Sequence, residues 1–183
     1  VFWQHVRRYR PLFWLIVLSI TAGSALDVVV PLYYKDFFNL LVSGQGAATI
    51  APSLVRILVS ILVLNIGVWL AYRLATFGNN YFQPRVKADL FAQAYDYLQQ
   101  HAYGFFANRF VGALVRKVTK LPRAFEVFAD RMFWDVFPLT IRIAGATIVL
   151  YIFNHTIAYI LLAWTMVFII LNYFFSRWKL KYD

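Results

Sequence analysis

Cysteine is absent from this chain, and carboxylates are scarce: eight Asp and Glu in 183 residues, with Glu126 the only glutamate. Without cysteine there is no disulfide framework and no thiolate metal site. The three histidines, His5, His101 and His155, lie far apart and have no metal-ligand spacing, so no metal site is expected. Glu126 and Asp130 stand four residues apart beside Arg123 and Arg131; both are expected on a solvated helix face, and no nucleophile-and-base arrangement accompanies them. No catalytic residue is assigned. Charge itself is short, 14% of residues against about 25% in a soluble domain. In its place the chain is 62% hydrophobic and 20% aromatic, with mean hydropathy +0.62. That composition cannot supply a water-solvated surface, and the expected solvent is a bilayer. No small-residue cleavage site follows the first apolar run, so no removable signal is read.

What charge there is has one sign. The net charge is +10 and the pI is about 10.0. The bases sit at the ends of apolar runs, which is the positive-inside pattern and argues against nucleic acid as the partner.

Four apolar runs organise the chain. The first, about 11–41, contains Asp27, Lys35 and Asp36, and Pro31 is expected to kink it. Ser43-Gly44-Gln45-Gly46 reads as a loop. The second, about 54–76, meets Gly78-Asn79-Asn80, a possible break, and then continues with helical spacing to residue 100. There Arg85, Asp89 and Gln93 recur on one side and Val86, Leu90 and Tyr97 mark another, as in an amphipathic helix leaving the membrane. Residues 101–110 read as a turn with a short helix. The third helix, about 111–153, is basic first and apolar last, with Pro122 and Pro138 expected to bend it. After Asn154-His155 the fourth run covers about 156–176 and ends in Arg177, Lys179 and Lys181.

The segment from Tyr81 to Arg131 is the distinctive one: polar, helical and carrying eight Lys or Arg between two apolar runs. Placing it inside, together with both termini, puts fourteen of the 18 bases in the cytoplasm, as the positive-inside rule requires. At ~1.5 Å per residue the stretch from Leu54 to Gln100 is about 70 Å of helix, so some 40 Å stands outside a hydrocarbon core of ~30 Å.

Of the ionisable groups inside the apolar runs, Asp27 and Arg142 are the pair singled out. Arg142 is about 18 Å deep from Asn154 and Asp27 about 21 Å deep from Leu41, depths compatible with pairing. Such residues face a cavity or a partner. Either they form a polar spot in a translocation pathway, or Arg142 snorkels or makes a structural ion pair. The aromatic excess either lines a substrate cavity or supplies lipid contacts and interfacial belts at Trp3, Trp14, Trp164 and Trp178.

Phe105-Phe106, Gly112, Leu114 and the pair Arg116-Lys117, set between two over-long helices, carry a family resemblance. So do Ala25-Leu26-Asp27, Pro31 and Asn39 in the first run. The pattern resembles the transmembrane domain of a type I ABC exporter, a half-transporter of the multidrug or lipid kind, over nearly the whole chain. Ala113 replaces the family's usual Glu, Leu121 its Asp and Phe91 a common Arg, and Asn39 stands where an Asp is usual. The salt bridges that normally tie the cytoplasmic helices are therefore in doubt.

The resemblance implies an all-α polytopic fold, here four long helices of a six-helix domain with cytoplasmic extensions. It implies a coupling helix at Ala102, Tyr103, Gly104, Phe105, Phe106, Ala107 and Asn108 that seats in a groove of a nucleotide-binding domain. The bland reading is that these aromatics pack the loop against its own helices. It also implies ATP and Mg in that domain, a second half-transporter in a homo- or heterodimer, and residence in a bacterial inner membrane with both ends cytoplasmic. No G-x-x-x-x-G-K-[ST] phosphate loop occurs here, so the nucleotide-binding domain is not in this chain. The start at Val1 and the stop at Asp183 are expected to mark a fragment. The alternative is a four-helix membrane scaffold or channel-like subunit with no ATP link. A membrane-embedded enzyme is weaker still, for want of a carboxylate or histidine cluster.

Overall fold

The computed structural model describes residues 6–44, 46–100 and 111–179, and their regular structure is helical throughout. Helix α1 is Arg10–Val42, α2 Ala47–Gln99, α3 Val111–Asp130, α4 Phe137–Phe153 and α5 His155–Lys179; a π-helical stretch, Arg131–Val136, joins α3 to α4. Among the described residues, four stretches are long and apolar enough to cross a membrane: Arg10–Val42, Thr49–Gln99, Val118–Phe153 and His155–Lys179. The all-α polytopic architecture expected from the apolar runs is the one found.

The chain divides into two compact units, Val1–Leu139 and Thr140–Asp183. In the first, α1 lies along α2, α2 packs against α3, and the π stretch touches α1. The turn between α1 and α2 uses Ser43, whose hydroxyl donates to Leu40 O at 2.7 Å, and Gly44, whose φ of 70° is left-handed backbone that glycine adopts without strain. Helix α2 starts well before the apolar run at Leu54, because extended Gly46 already accepts from Thr49 N at 2.9 Å and Ile50 N at 3.3 Å.

Gly78 does not break α2. It lets α1 approach: a Cβ there would lie 2.7 Å from Leu15 Cδ2 and 3.0 Å from Ile16 Cγ1. Gly23 of α1 does the same opposite Tyr72 and Ala71, at 3.2 and 3.3 Å. Small residues at a helix contact are the membrane solution to close packing, where burial from water contributes little. Below this contact sits an aromatic cluster. Phe82, 1% exposed, has the rings of Phe13, Phe133 and Phe125 at 6.3, 6.1 and 6.4 Å.

Pro122 and Pro138 lie inside regular helix; the irregularity between them is the π stretch, where Phe137 N–H donates to Met132 O, five residues back. Phe125, Ala129 and Phe133 are all buried at four-residue spacing. In an α-helix each four-residue step drifts by about 40°, so such a row veers away from its partner. The wider π turn absorbs the drift, and Phe137 packs against the same core.

In the second unit Asn154 caps α5, its Oδ1 accepting from Thr156 N at 2.9 Å and Ile157 N at 3.3 Å. Along the spans, isolated polar side chains bond back to their own helix: Thr21 Oγ1 donates to Val17 O, Asn65 Nδ2 to Ile61 O, Thr76 Oγ1 to Tyr72 O and Thr147 Oγ1 to Ile143 O, all at 2.7 to 2.9 Å. This leaves the outward rows apolar, with Leu62, Trp69, Trp164 and Phe168 more than half exposed.

Candidate functional site

Two polar constellations stand out in the first unit, one joining α2 to α3 and one joining α1 to α2. The first is a two-rung ladder. Lys87 Nζ lies 2.7 Å from Glu126 Oε2, and Gln83 Nε2 donates to Asp130 Oδ1 at 2.6 Å. Positions 83 and 87 are one turn apart on α2, and 126 and 130 are one turn apart on α3, so the rungs pair in antiparallel order. Phe82, Val86, Leu90, Phe125 and Ala129 form the apolar seam beside them. This corrects the expectation that Glu126 and Asp130 sit together on a solvated face: both are partly buried and bonded across to α2. It also answers the doubt raised by Ala113, Leu121 and Phe91. The extended helices are tied together by different residues.

The same helix receives the N-terminal segment. Asp89 Oδ2 accepts from Tyr9 OH at 3.1 Å and from Arg8 Nη1 at 3.4 Å. Val86 and Leu90 are fully buried, whereas Tyr97, expected on their face, is 68% exposed. The apolar seam of α2 therefore runs out before its last turn.

The second constellation lies midway along α1. Tyr72 OH donates to Asp27 Oδ2 at 3.3 Å, and Ser24 Oγ lies 3.1 Å from the same hydroxyl. With the single tyrosine proton directed at the carboxylate, Ser24 is the donor to Tyr72. Ser24 is fully buried, so the hydroxyl relay satisfies a group that would otherwise be stranded among apolar side chains. Arg142, the expected companion of Asp27, belongs to the second unit and is exposed there. Within the first unit, Tyr72 is one partner of Asp27. Neither Tyr72 nor Ser24 was singled out from the sequence; a tyrosine in an apolar run reads as packing or interface until the neighbouring helix is placed. For the ladder a signal existed, since Gln83/Lys87 and Glu126/Asp130 share the same four-residue spacing. Ala102 to Asn108, the expected coupling residues, lie outside the described residues.

The chain matches the family model described as the ABC transporter transmembrane region over residues 13–183. It is also similar to a Bacillus subtilis (strain 168) protein described as an uncharacterized ABC transporter ATP-binding protein, YwjA, at 23% identity over 164 residues. That match covers 86% of this chain and 27% of the relative, so the chain spans about a quarter of that protein's length. With four membrane-crossing helices and a family match over nearly its whole length, this integral membrane chain belongs to the ABC transporter transmembrane region family.

Proposed function

We propose that this chain is part of the membrane half of an ATP-driven exporter, moving a hydrophobic or amphipathic substrate by alternating access. The observation that carries the reading is the length of α2. Its 53 residues make about 80 Å of helix, far more than a hydrocarbon core of ~30 Å needs. A span that only crosses has no use for the excess; one that reaches a soluble motor does. The ladder at Lys87–Glu126 and Gln83–Asp130 stiffens that excess by joining α2 to α3.

In this reading the N-terminus, the segment from Tyr81 to Arg131 and the C-terminus face the cytoplasm of a bacterial inner membrane, as the basic residues favour. Ala102 to Asn108, between α2 and α3, dock on a nucleotide-binding domain, with Tyr103, Phe105 and Phe106 as apolar anchors. This chain has no phosphate loop, so ATP and Mg bind elsewhere in the complete protein, and no catalytic step belongs to the residues described. A second half-transporter completes the cavity. Asp27, Tyr72 and Ser24 form a polar spot on the pathway, with Arg142 a further candidate.

The test is transport and ATP hydrolysis by the full-length protein in proteoliposomes with Phe105→Ala/Phe106→Ala. Docking predicts that substrate-stimulated hydrolysis and transport fall together while the protein still inserts and folds. A folded variant with both activities intact removes the coupling assignment. Absence of any ATP dependence in the wild type returns the chain to the scaffold or channel reading.

A further inference from the structure

The first unit has an apolar cleft between the start of α1, the end of α3 and the π stretch, with a volume of ≈ 720 Å³. Its lining, from Val6 and Trp14 to Met132 and Phe137, is apolar throughout. The size lies within the ~300–1,000 Å³ of ordinary small-molecule sites. The cleft does not close at its N-terminal end. Val6, Phe13 and Trp14 are shared with a second pocket of ≈ 220 Å³, whose remaining walls are Arg7 and Arg10. Both arginines are exposed, and among the described residues neither forms an ion pair. Arg8, between them, is already engaged by Asp89. An apolar volume thus opens directly onto two available guanidinium groups, at the end of a membrane span that starts at Arg10.

We infer that the joined pockets hold an anionic phospholipid of the surrounding bilayer, with an acyl chain in the cleft and its phosphate between Arg7 and Arg10. Charge complementarity selects this occupant. A zwitterionic lipid brings its own ammonium to the two arginines, and a free phosphate leaves the cleft empty. Another helix or a second copy seated there would need carboxylates of its own to meet the two arginines. The inference goes beyond the transport reading, because this lipid is a resident ligand and not cargo.

The experiment uses the full-length protein in mild detergent, equilibrated with equal amounts of phosphatidylglycerol and phosphatidylcholine, with retained lipids counted by native mass spectrometry. The wild type should retain phosphatidylglycerol preferentially. Arg7→Gln/Arg10→Gln should reduce that preference by roughly fivefold per arginine. Met132 lines the cleft and is 40% exposed, so Met132→Trp should fill the cleft and lower bound lipid without altering charge. Unchanged thermal melting of both variants establishes that the fold is kept. Equal retention of the two lipids by the wild type, or a preference that Arg7→Gln/Arg10→Gln leaves in place, overturns the headgroup site. Unchanged lipid occupancy in Met132→Trp overturns the acyl site and assigns the cleft to protein.

Discussion

Lys87 and Glu126, the only glutamate in the chain, meet at 2.7 Å across the contact of α2 with α3. Both side chains keep more than a third of their exposure, 34% and 39%, so solvent screens the pair and its worth is bounded at about 0.2–1 kcal/mol. Its value is geometric. With Gln83–Asp130 one turn away, it sets the axial register of two long helices. A double-mutant cycle on Lys87→Gln and Glu126→Gln should give a coupling energy below about 1 kcal/mol. Substrate-stimulated ATPase of the full-length protein should fall further than that stability loss accounts for, if the ladder transmits motion.

Phe82 is the keystone of the apolar seam, with three aromatic rings around it within 6.4 Å. Phe82→Ala opens a cavity that α1, α2 and α3 cannot all close into. Stability should fall by about 3–5 kcal/mol, read as a lowered midpoint in chemical or thermal unfolding in detergent.

Gly78 separates helix propensity from packing. Gly78→Ala improves propensity by about 1 kcal/mol but places a methyl 2.7 Å from the flexible end of Leu15, so the two effects should nearly cancel. Gly78→Leu forces α1 off α2 and should cost about 1–3 kcal/mol. Equal stability of the two variants by thermal unfolding would deny the close approach.

Tyr72 joins Ser24 to Asp27 through one hydroxyl. Tyr72→Phe removes both bonds and should destabilise by about 0.6–1.7 kcal/mol, from the average to the maximum found for a hydrogen bond between membrane helices. Asp27→Asn keeps an acceptor for Tyr72 and should leave the unfolding midpoint close to wild type. A changed transport rate in Asp27→Asn then reports on the carboxylate charge itself, and an unchanged one makes the constellation purely structural.

The number and type of helices were legible because both depend on local quantities. A bilayer demands long apolar runs, and Arg10–Val42, Thr49–Gln99, Val118–Phe153 and His155–Lys179 each satisfy that demand by composition and length. The over-long second helix was legible for the same reason, as helical spacing persists past Asn80. Family membership was legible in the spacing of Phe105-Phe106, Gly112 and Leu114 between such helices.

Pairing between helices was not legible, because it depends on rotation about each axis and on axial register. The helical spacing carried α2 past Gly78, but the reason for a glycine there appeared only when Leu15 and Ile16 of α1 occupied the space its missing side chain leaves. Glu126 and Asp130 read as solvated until α2 presented Lys87 and Gln83 to them. Asp27 has Tyr72 beside it, a residue 45 positions away. The π turn at Arg131–Val136 has no local composition signal; it keeps Phe125, Ala129 and Phe133 in one line against α1 and α2. Apolar length and charge placement decided, from the sequence alone, that the chain crosses a membrane four times. Which polar groups meet inside and beyond that membrane was decided only by the packed helices, since a hydrogen bond needs both partners within about 3 Å and no local pattern specifies where the second helix will be.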